Sequence, residues 1–323
     1  MGSTSDNNKF DMVIIGAGPA GMAAAIYGSR MGWKTIVLDK EAVGGLAATT
    51  PIIENYPGFS EITGLEFAER LRKQAEKFGA EIRELVEVTE VKADQVPLEV
   101  VTTTGNFIAK VVIIATGTAH RHLNIPGEEE FEGKGVSYCA TCDGPLYKAK
   151  KVAVVGGGNS AVTEALYLNN VVREVHLIHR RDRLRADESL QREILNNSNV
   201  NFVWDSVIEE IQGSETGGVK KISIKNVKTE EISSLRVKAV FVAIGISPNN
   251  ELAKKLGVEL TEEGLIKVDS KQRTSIPRIY ACGDITPGQG QISVAVGEGT
   301  TAAISAFLDM KGGDWYGEEV SNG

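Results

Sequence analysis

The sequence predicts an α/β protein with two Rossmann-like nucleotide-binding domains, each a three-layer arrangement of helices around a parallel sheet. An apolar run of strand length, a glycine-rich turn and an alanine-rich helix follow one another at residues 10–31. The same succession returns about 140 residues later, at residues 151–169. Because the chain has 323 residues and domains usually run to about 100 to 200, two domains are expected.

The first unit opens with a predicted strand at 10–15, the turn Gly16-Ala17-Gly18-Pro19-Ala20-Gly21 and a predicted helix at 22–31. A second apolar strand, 35–38, ends in Asp39, which lies 18 residues beyond Gly21. This spacing is typical of an acid that binds a ribose hydroxyl. The glycines let the backbone approach a pyrophosphate, and the helix N-terminus stabilises its charge. The unit therefore predicts a dinucleotide site.

The second unit has a strand at 151–155, the turn Gly156-Gly157-Gly158-Asn159-Ser160-Ala161, a helix at 162–169 and a strand at 175–178. Its second strand leads into His179-Arg180-Arg181 and Arg185 instead of an acid. A carboxylate repels a 2'-phosphate, whereas guanidinium groups bind phosphate bidentately, so this unit is predicted to prefer NADPH to NADH. The alternative is a solvated basic turn. Two such units in one chain indicate two cofactors that exchange electrons.

Between the units lies Cys139-Ala140-Thr141-Cys142-Asp143. A Cys-x-x-Cys pair is either half of a four-ligand metal site or a dithiol that cycles to a disulfide, and a plainer alternative is two small buried residues. The third cysteine, Cys282, lies 140 residues beyond Cys142, and the four histidines include no zinc-ligand pair after the motif. A metal site is therefore not predicted; a redox dithiol is favoured, and two small buried residues stay open as the alternative.

Other stretches predict further elements. They are an amphipathic helix at 64–78, a loop over the cofactor at 44–58, buried strands at 111–115 and 237–244, strands at 266–268 and 278–281, and a helix within 289–306. The turn Gly245-Ile246-Ser247-Pro248-Asn249 is predicted to act as a hinge. Cys282 is predicted to be a small core residue.

Composition narrows the classes of function. The formal net charge of -8 argues against a general binder of nucleic acid or of anionic membranes. Three cysteines do not make a disulfide framework, and the polar stretch Met1 to Lys9 has no apolar core of a signal peptide. No apolar run reaches about 18 residues, the length of a membrane span. A cytoplasmic protein is expected.

Taken together, the motifs resemble the low-molecular-weight thioredoxin reductases over nearly the whole chain, in the family's order. They are the turn at 16–21, Gly44-Gly45, Glu54-Asn55-Tyr56-Pro57-Gly58, Ala115-Thr116-Gly117, Cys139-Ala140-Thr141-Cys142-Asp143-Gly144, the turn at 156–161, His179-Arg180-Arg181 with Arg185, and Tyr280-Ala281-Cys282-Gly283-Asp284 with Gln291. One departure is Leu46, where the family usually has Gln, and some relatives with a similar loop have lost nicotinamide use.

The resemblance implies that the second domain is inserted into the first. Residues 1–120 and 248–323 then form the FAD-binding domain, and 121–247 form the NADPH-binding domain with the cysteine pair. The implied FAD-binding residues are Gly16, Gly18, Pro19, Ala20, Gly21, Asp39, Lys40, Gly44, Gly45, Leu46, Asn55, Val88, Ala115, Thr116, Gly117, Gly283, Asp284, Gln291 and Ile292. The implied NADPH-binding residues are Gly156, Gly158, Asn159, Ser160, Ala161, His179, Arg180, Arg181 and Arg185.

The resemblance also implies an activity. Electrons would pass from NADPH through FAD and the Cys139–Cys142 disulfide to thioredoxin or a glutaredoxin-like protein, with one domain rotating against the other, in a homodimer. Cys142 would face the flavin, Cys139 would attack the partner's disulfide, and Asp143 would transfer a proton. Two alternatives stay open: a dithiol flavoprotein fed by ferredoxin or a reduced deazaflavin, and a flavin redox sensor without turnover.

Overall fold

The computed structural model describes residues 8–50, 52–196, 199–214 and 216–312. They divide into two compact units: unit 1, which comprises the described residues up to Ala119 and from Pro248 onward, and unit 2, His120–Ser247. Both units are built from strands and helices around parallel sheets, so the α/β fold class is confirmed. Most of the polar stretch at 1–9, on which the predicted location partly rests, lies outside the described residues.

The chain alternates strands and helices. Its first elements are β1 (Lys9–Ile15), α1 (Pro19–Arg30), β2 (Thr35–Leu38), α2 (Gly45–Thr49), α3 (Gly64–Lys77), β3 (Glu81–Arg83), β4 (Val88–Lys92), β5 (Leu98–Thr102), β6 (Gly105–Ile114) and β7 (Thr118–His120). There follow β8 (Val136–Ser137), α4 (Ala140–Asp143), a 3₁₀ helix (Gly144–Tyr147), β9 (Lys151–Val155), α5 (Asn159–Asn169), β10 (Glu174–Ile178), α6 (Glu188–Leu195), β11 (Val200–Val203), β12 (Ser206–Ser214), β13 (Gly218–Asn226), β14 (Ile232–Leu235) and β15 (Ala239–Val242). The last are β16 (Ile246–Pro248), α7 (Glu251–Leu256), β17 (Ile279–Ala281) and α8 (Ile292–Gly312).

Unit 1 holds a sheet in the order β3-β2-β1-β6-β5-β4, with β17 also paired to β6. The strands β3, β2, β1, β6 and β17 are parallel, whereas β4, β5 and β6 form an antiparallel meander. All four residues of β2 are buried, as in a strand covered on both faces, which explains the consecutive apolar residues Ile36-Val37-Leu38. The carboxyl ends of β1 and β6 therefore lie side by side and bring their following turns together.

Helices α1 and α8 pack closely because both are rich in small residues. A Cβ at Gly299 of α8 would lie 2.0 Å from the carbonyl oxygen of Ala20 in α1, so only glycine permits this approach. Near its end, α8 is held by Asp309, which accepts hydrogen bonds from the Arg273 guanidinium (Nε, 2.8 Å) and the buried Tyr280 hydroxyl (2.7 Å). The packing fixes α8 against the turn that opens α1.

Unit 2 contains a five-stranded parallel sheet in the order β11-β10-β9-β15-β8. A separate antiparallel sheet, β12-β13-β14, precedes β15. The central strand β9 continues directly into the second glycine turn, and β10 leads to the arginine-rich segment. The two adjacent carboxyl ends thus bring both halves of the predicted NADPH site to one edge of the sheet.

The chain crosses between the units twice, through β7 and β16, which pair with each other as a two-stranded sheet. On the unit 1 side, the Asn249 N–H donates to the carbonyl of Gly117 (3.1 Å). On the unit 2 side, the Arg121 N–H donates to the carbonyl of Gly245 (3.1 Å). The entry and exit of unit 2 are therefore neighbours in the fold.

Most predicted elements are present, with two differences. The strand predicted at 266–268 was wrong: Ile266 makes only an isolated bridge to Leu260. Ile266 is fully buried, so the apolar side chain indicated burial correctly although the segment is not paired as a strand. The predicted loop at 44–58 contains the short helix α2, which the sequence did not indicate. No helix in the described part of the chain is long and apolar enough to cross a membrane.

Candidate functional site

The first glycine turn contains glycines of two kinds. A Cβ at Gly16 (φ +109°) would lie 2.2 Å from the Ala115 carbonyl oxygen, and one at Gly21 would lie 1.9 Å from the Gly16 carbonyl oxygen. A Cβ at Gly18, by contrast, would meet no atom of the described residues within 4 Å. Packing of the chain therefore explains Gly16 and Gly21. Gly18, which caps α1 without a side-chain hydrogen bond, fits a backbone site for a phosphate-bearing ligand, with Pro19 and Ala20 in the first turn of α1.

Asp39, at the end of β2, is held by backbone N–H groups. Its Oδ2 accepts from Ala17 (2.6 Å) and its Oδ1 accepts from Glu41 (2.8 Å). Burial raises the pKa of this carboxyl, while the two backbone hydrogen bonds oppose the shift. A carboxylate oxygen has two acceptor sites, so each retains one for a ribose hydroxyl. The neighbouring Lys40 is exposed.

The Gly44-Gly45 loop lies directly on the first turn. The Gly44 N–H donates to the Ala17 carbonyl (2.9 Å), and a Cβ at Gly45 would lie 3.3 Å from the Cα of Gly18. Both glycines have positive φ, +123° and +53°, which favours glycine at each position. Leu46, where the family usually has Gln, is 38% exposed. The structure thus brings two predicted FAD-binding stretches into contact.

Four further predicted FAD-binding residues lie in unit 1 in two different settings. The Asn55 amide donates to the Gln291 side-chain oxygen (3.2 Å), which joins two motifs 236 residues apart. Val88 and Ile292 are packed against apolar clusters of the unit instead. Their side chains contribute to the core, and any cofactor contact by them would be at their exposed edges.

The strand-to-glycine turn at 115–117 is fixed by two partners. The Ala115 N–H donates to the Ile15 carbonyl (2.8 Å) and so ties the turn to β1. The Thr116 hydroxyl donates to the Asn249 carbonyl (2.8 Å), and the Asn249 amide returns a bond to the Thr116 carbonyl (2.8 Å). The sequence motifs did not single out Asn249 as a site residue. Its position in a turn far along the chain gave no signal of this contact.

The Gly283-Asp284 turn is pressed against the start of α1. A Cβ at Gly283 would lie 2.8 Å from the Cβ of Ala20, and Gly283 has a φ of +76°. The Gly283 N–H donates to the Glu298 carboxylate (2.8 Å), as does the Thr286 hydroxyl (3.2 Å). Burial raises the pKa of both Asp284 and Glu298. Glu298, which positions this turn, was not predicted.

The second glycine turn repeats the logic of the first. A Cβ at Gly156 (φ +150°) would lie 2.3 Å from the Ala243 carbonyl oxygen and 2.6 Å from the Cβ of Ala161. Within the described part of the chain, a Cβ at Gly158 would meet no atom within 4 Å, and α5 begins there without a side-chain cap. Ser160 is exposed in the first turn of α5. These features fit a second phosphate-bearing ligand.

The predicted 2'-phosphate residues separate into buried and exposed groups. The His179 ring is buried beneath the turn, since a Cβ at Gly157 would lie 2.4 Å from it. Burial lowers the pKa of His179, and the charges of the neighbouring arginines lower it further, so the ring is neutral near pH 7. The His179 ring packs against Gly157 and so supports the turn. The sequence did not indicate this contact.

Arg180, Arg181 and Arg185 are all exposed, and none of the three forms an ion pair within the described residues. The Arg185 N–H donates to the Gly157 carbonyl (2.6 Å), which holds this residue beside the turn. Asn159, also predicted to bind NADPH, exchanges two hydrogen bonds with Asp187 (2.8 and 2.9 Å). The arginines are therefore available for an anion, whereas the amide of Asn159 orders the start of α5.

Cys139 and Cys142 are joined by a disulfide, with their Cα atoms 5.3 Å apart. Cys139 precedes the single helical turn α4, and its N–H donates to the Ser137 hydroxyl (3.1 Å). The Thr141 hydroxyl lies 3.4 Å from the Cys139 sulfur. Both cysteines are partly exposed. The pair is thus a bonded disulfide within reach of solvent, as a redox dithiol requires.

Asp143 follows the disulfide at the end of α4. Its Oδ1 is buried and has no hydrogen-bond partner among the described residues. Burial raises the pKa of the carboxyl, and a hydrogen bond with Ser137 opposes the shift. A carboxyl of this kind is suited to hold a proton beside a thiol.

A second carboxyl, that of the partly exposed Glu164 on α5, has a buried Oε2 that is unpaired among the described residues. Burial raises its pKa from 4.5 to about 7. A carboxyl whose folded pKa is raised stabilises the folded state less as pH increases, so its contribution declines between about pH 4.5 and 7 by roughly 3 kcal/mol. We expect Glu164→Gln to match the wild type at pH 5 and to be more stable at pH 8, as measured by denaturant unfolding.

The exposed Glu129→Gln serves as the matched control, because removing its charge takes no carboxylate from the interior. It should leave the pH dependence unchanged. Equal stability of Glu164→Gln and wild type at pH 8 would show that the charged carboxylate at position 164 is not destabilising.

Comparison with known proteins shows which family shares this arrangement. The profile described as pyridine nucleotide-disulphide oxidoreductase matches residues 10–299. A thioredoxin reductase of Bacillus subtilis is 39% identical over 307 residues, 93% of this chain and 95% of that protein. A thioredoxin reductase of Treponema pallidum is 41% identical over 299 residues, 92% of this chain and 96% of that protein.

Among solved structures, a thioredoxin reductase from Streptococcus pyogenes has a TM-score of 0.90 and 40% identity, covering 95% of this chain and 99% of that one. These matches confirm the resemblance drawn from the motifs. They span the glycine turns and the disulfide together, so they concern the whole arrangement and not one shared module. The chain belongs to the pyridine nucleotide-disulphide oxidoreductase family.

Proposed function

We propose that this protein is a thioredoxin reductase that transfers electrons from NADPH through FAD and the Cys139–Cys142 disulfide to the disulfide of thioredoxin. The observation that carries the proposal is the bonded, partly exposed disulfide in a chain about 40% identical, over nearly its full length, to curated thioredoxin reductases. Glutaredoxin-like proteins as further substrates, a homodimer and a cytoplasmic location belong to the same proposal. Rotation of one domain against the other remains a prediction from the resemblance.

Unit 1 is proposed to hold FAD. Gly18 and the start of α1 would bind the pyrophosphate, Asp39 a ribose hydroxyl, and the turns at 44–46, 115–117 and 283–284 the rest of the cofactor. Support comes from the contacts that join these turns and from the open space that a Cβ at position 18 would meet among the described residues. A flavin bound there would supply two-electron redox chemistry between the nicotinamide and the disulfide.

Unit 2 is proposed to hold NADPH. Gly158 and the first turn of α5 would bind the pyrophosphate, and Arg180, Arg181 and Arg185 the 2'-phosphate. The exposure of the three guanidinium groups supports this assignment. His179 would act through its packing under Gly157, because a neutral buried ring adds no positive charge.

The chemistry of the reduced pair follows from its residues. The Cys139 thiolate attacks one sulfur of the thioredoxin disulfide, which forms a mixed disulfide and releases the other sulfur as a thiolate. Cys142 then attacks the Cys139 sulfur, which frees the reduced partner and re-forms the disulfide. Asp143 would hold the proton exchanged with the thiolate, because burial raises the pKa of its carboxyl.

An anaerobic titration tests the proposal. The purified flavin-loaded protein should lose its oxidised flavin absorbance with NADPH, and much less readily with NADH, because only NADPH carries the 2'-phosphate. Addition of oxidised thioredoxin should then restore the absorbance. Bleaching by reduced ferredoxin or a reduced deazaflavin, but not by NADPH, would refute NADPH as the donor.

A further inference from the structure

Unit 2 contains a wide groove lined by basic side chains, away from the glycine turn at 156–161 of the same unit. Its volume is about 1190 Å³. One wall is the β12-β13 hairpin with Lys220 and Lys221. A smaller cavity of about 470 Å³ adjoins it and shares Lys150 and Lys238 with it. We call the larger cavity the basic groove.

The basic groove lies at the amino ends of the parallel strands. Lys150 and Lys151 stand where β9 begins, and Arg173 immediately precedes β10. Arg236 and Lys238 lead into β15. The nucleotide turn follows the carboxyl end of β9, at the opposite edge of the same sheet. The groove is therefore distinct from the proposed NADPH site.

Its charge is concentrated and largely uncompensated. Of its seven Lys and Arg residues, only Lys151 forms an ion pair with a carboxylate of the described residues, Glu174 (2.6 Å). With these seven set aside, 28 Lys and Arg remain in the chain against 43 Asp and Glu. A strongly positive surface on an otherwise acidic protein attracts acidic partners and raises their rate of encounter.

The shape and surroundings of the groove favour a protein as its partner. Six of the seven cations are exposed, so they present a broad charged surface instead of the buried donors that hold a small anion. A long nucleic acid would extend over the acidic remainder of the chain and be repelled there. A folded protein with one acidic face can contact the basic groove without extending over the acidic remainder of the chain.

The redox disulfide lies within reach of a protein docked there. Lys150 follows Cys142 by eight residues, which limits the separation of their Cα atoms to about 29 Å. A small domain is about 30 Å across, so one partner spans both. We propose that the basic groove docks an acidic face of the protein whose disulfide is reduced at Cys139–Cys142. This inference rests on the proposed function and names the surface that selects its substrate.

The test compares two charge reversals in the full-length, flavin-loaded protein. Lys220→Glu/Arg236→Glu alters the groove, and Lys77→Glu/Lys254→Glu makes the same change in net charge at exposed positions of unit 1. With an acidic thioredoxin at low salt, the groove variant should show a KM about 10-fold higher, with unchanged kcat and flavin reduction by NADPH. The difference should nearly vanish at about 0.5 M salt, where screening is strong. The control should behave as the wild type.

A KM that is equal in the groove variant and the wild type, or that rises equally in the control, would overturn the inference. Fluorescence anisotropy with labelled oxidised thioredoxin measures docking without turnover. If the wild type bound thioredoxin through the groove but did not reduce it, the proposed function would fail and the docking surface would stand. Tighter groove-dependent binding of a short single-stranded oligonucleotide than of thioredoxin would assign the groove to nucleic acid instead.

Discussion

Replacement of Cys142 by Ser is expected to abolish thioredoxin reduction while NADPH still bleaches the flavin. The serine oxygen cannot re-form a bond with the Cys139 sulfur, so the mixed disulfide with thioredoxin cannot be resolved. The loss of turnover should be roughly 10⁴-fold or more, as for other residues that form a covalent intermediate. The measurement is steady-state thioredoxin reduction beside rapid-mixing flavin reduction by NADPH.

Cys282→Ser is the matched control. This thiol is fully buried, takes no part in the disulfide, and has a raised pKa because burial disfavours its thiolate. Turnover should persist in this variant when it is folded and flavin-loaded. Thioredoxin reduction by Cys142→Ser at a rate near that of the wild type would exclude the dithiol mechanism.

The second large effect concerns the choice of nicotinamide cofactor. Arg181→Gln/Arg185→Gln should lower kcat/KM for NADPH by at least about 100-fold, because each of the two lost charge-assisted hydrogen bonds to the 2'-phosphate costs about 1.5 to 3 kcal/mol. The value for NADH should change little, since NADH has no 2'-phosphate. Steady-state kinetics with both cofactors at saturating thioredoxin provide the measurement.

Arg183→Gln tests whether any positively charged residue of this exposed segment is sufficient to bind the 2'-phosphate. Arg183 is exposed in the same segment but stands outside the predicted set of arginines. We expect less than about a threefold change in its kcat/KM for NADPH, a difference below 1 kcal/mol. An equal loss for NADPH and NADH in the double variant would argue for a general structural role of Arg181 and Arg185.

Local patterns were sufficient to predict the nucleotide units. In residues 12–15 of β1, 36–38 of β2 and 152–155 of β9, continuous apolar sequence predicted burial on both faces of the sheet, and glycines after β1 and β9 marked the turns. The same reasoning failed for the strand predicted at 266–268. Ile266 is buried, but it forms only an isolated bridge and not a paired strand. Apolar sequence predicts burial reliably, but strand pairing also depends on a partner that the segment itself does not reveal.

Positioning residues were harder to predict because their partners are distant in the chain. Asn249 bonds to Thr116 across 133 residues, and neither residue type signals the other. The contact of Gly157 with the His179 ring likewise forms only after β9 and β10 pair. The motifs thus indicated which stretches form the sites, whereas the structure was needed to distinguish exposed ligand groups from the residues that hold them in place.

The paired connections β7 and β16 bear on how such a protein can be rebuilt. The chain leaves unit 1 and returns to it at adjacent points. Residues 120–247 are therefore an insertion into unit 1 whose two ends are held next to each other by the pairing of β7 with β16. A foreign domain with neighbouring termini could replace that stretch without lengthening either crossing. Unit 1 can therefore accept a different inserted domain at the same two connections. Exchange of the whole inserted domain is a practical route to reductases with new electron donors.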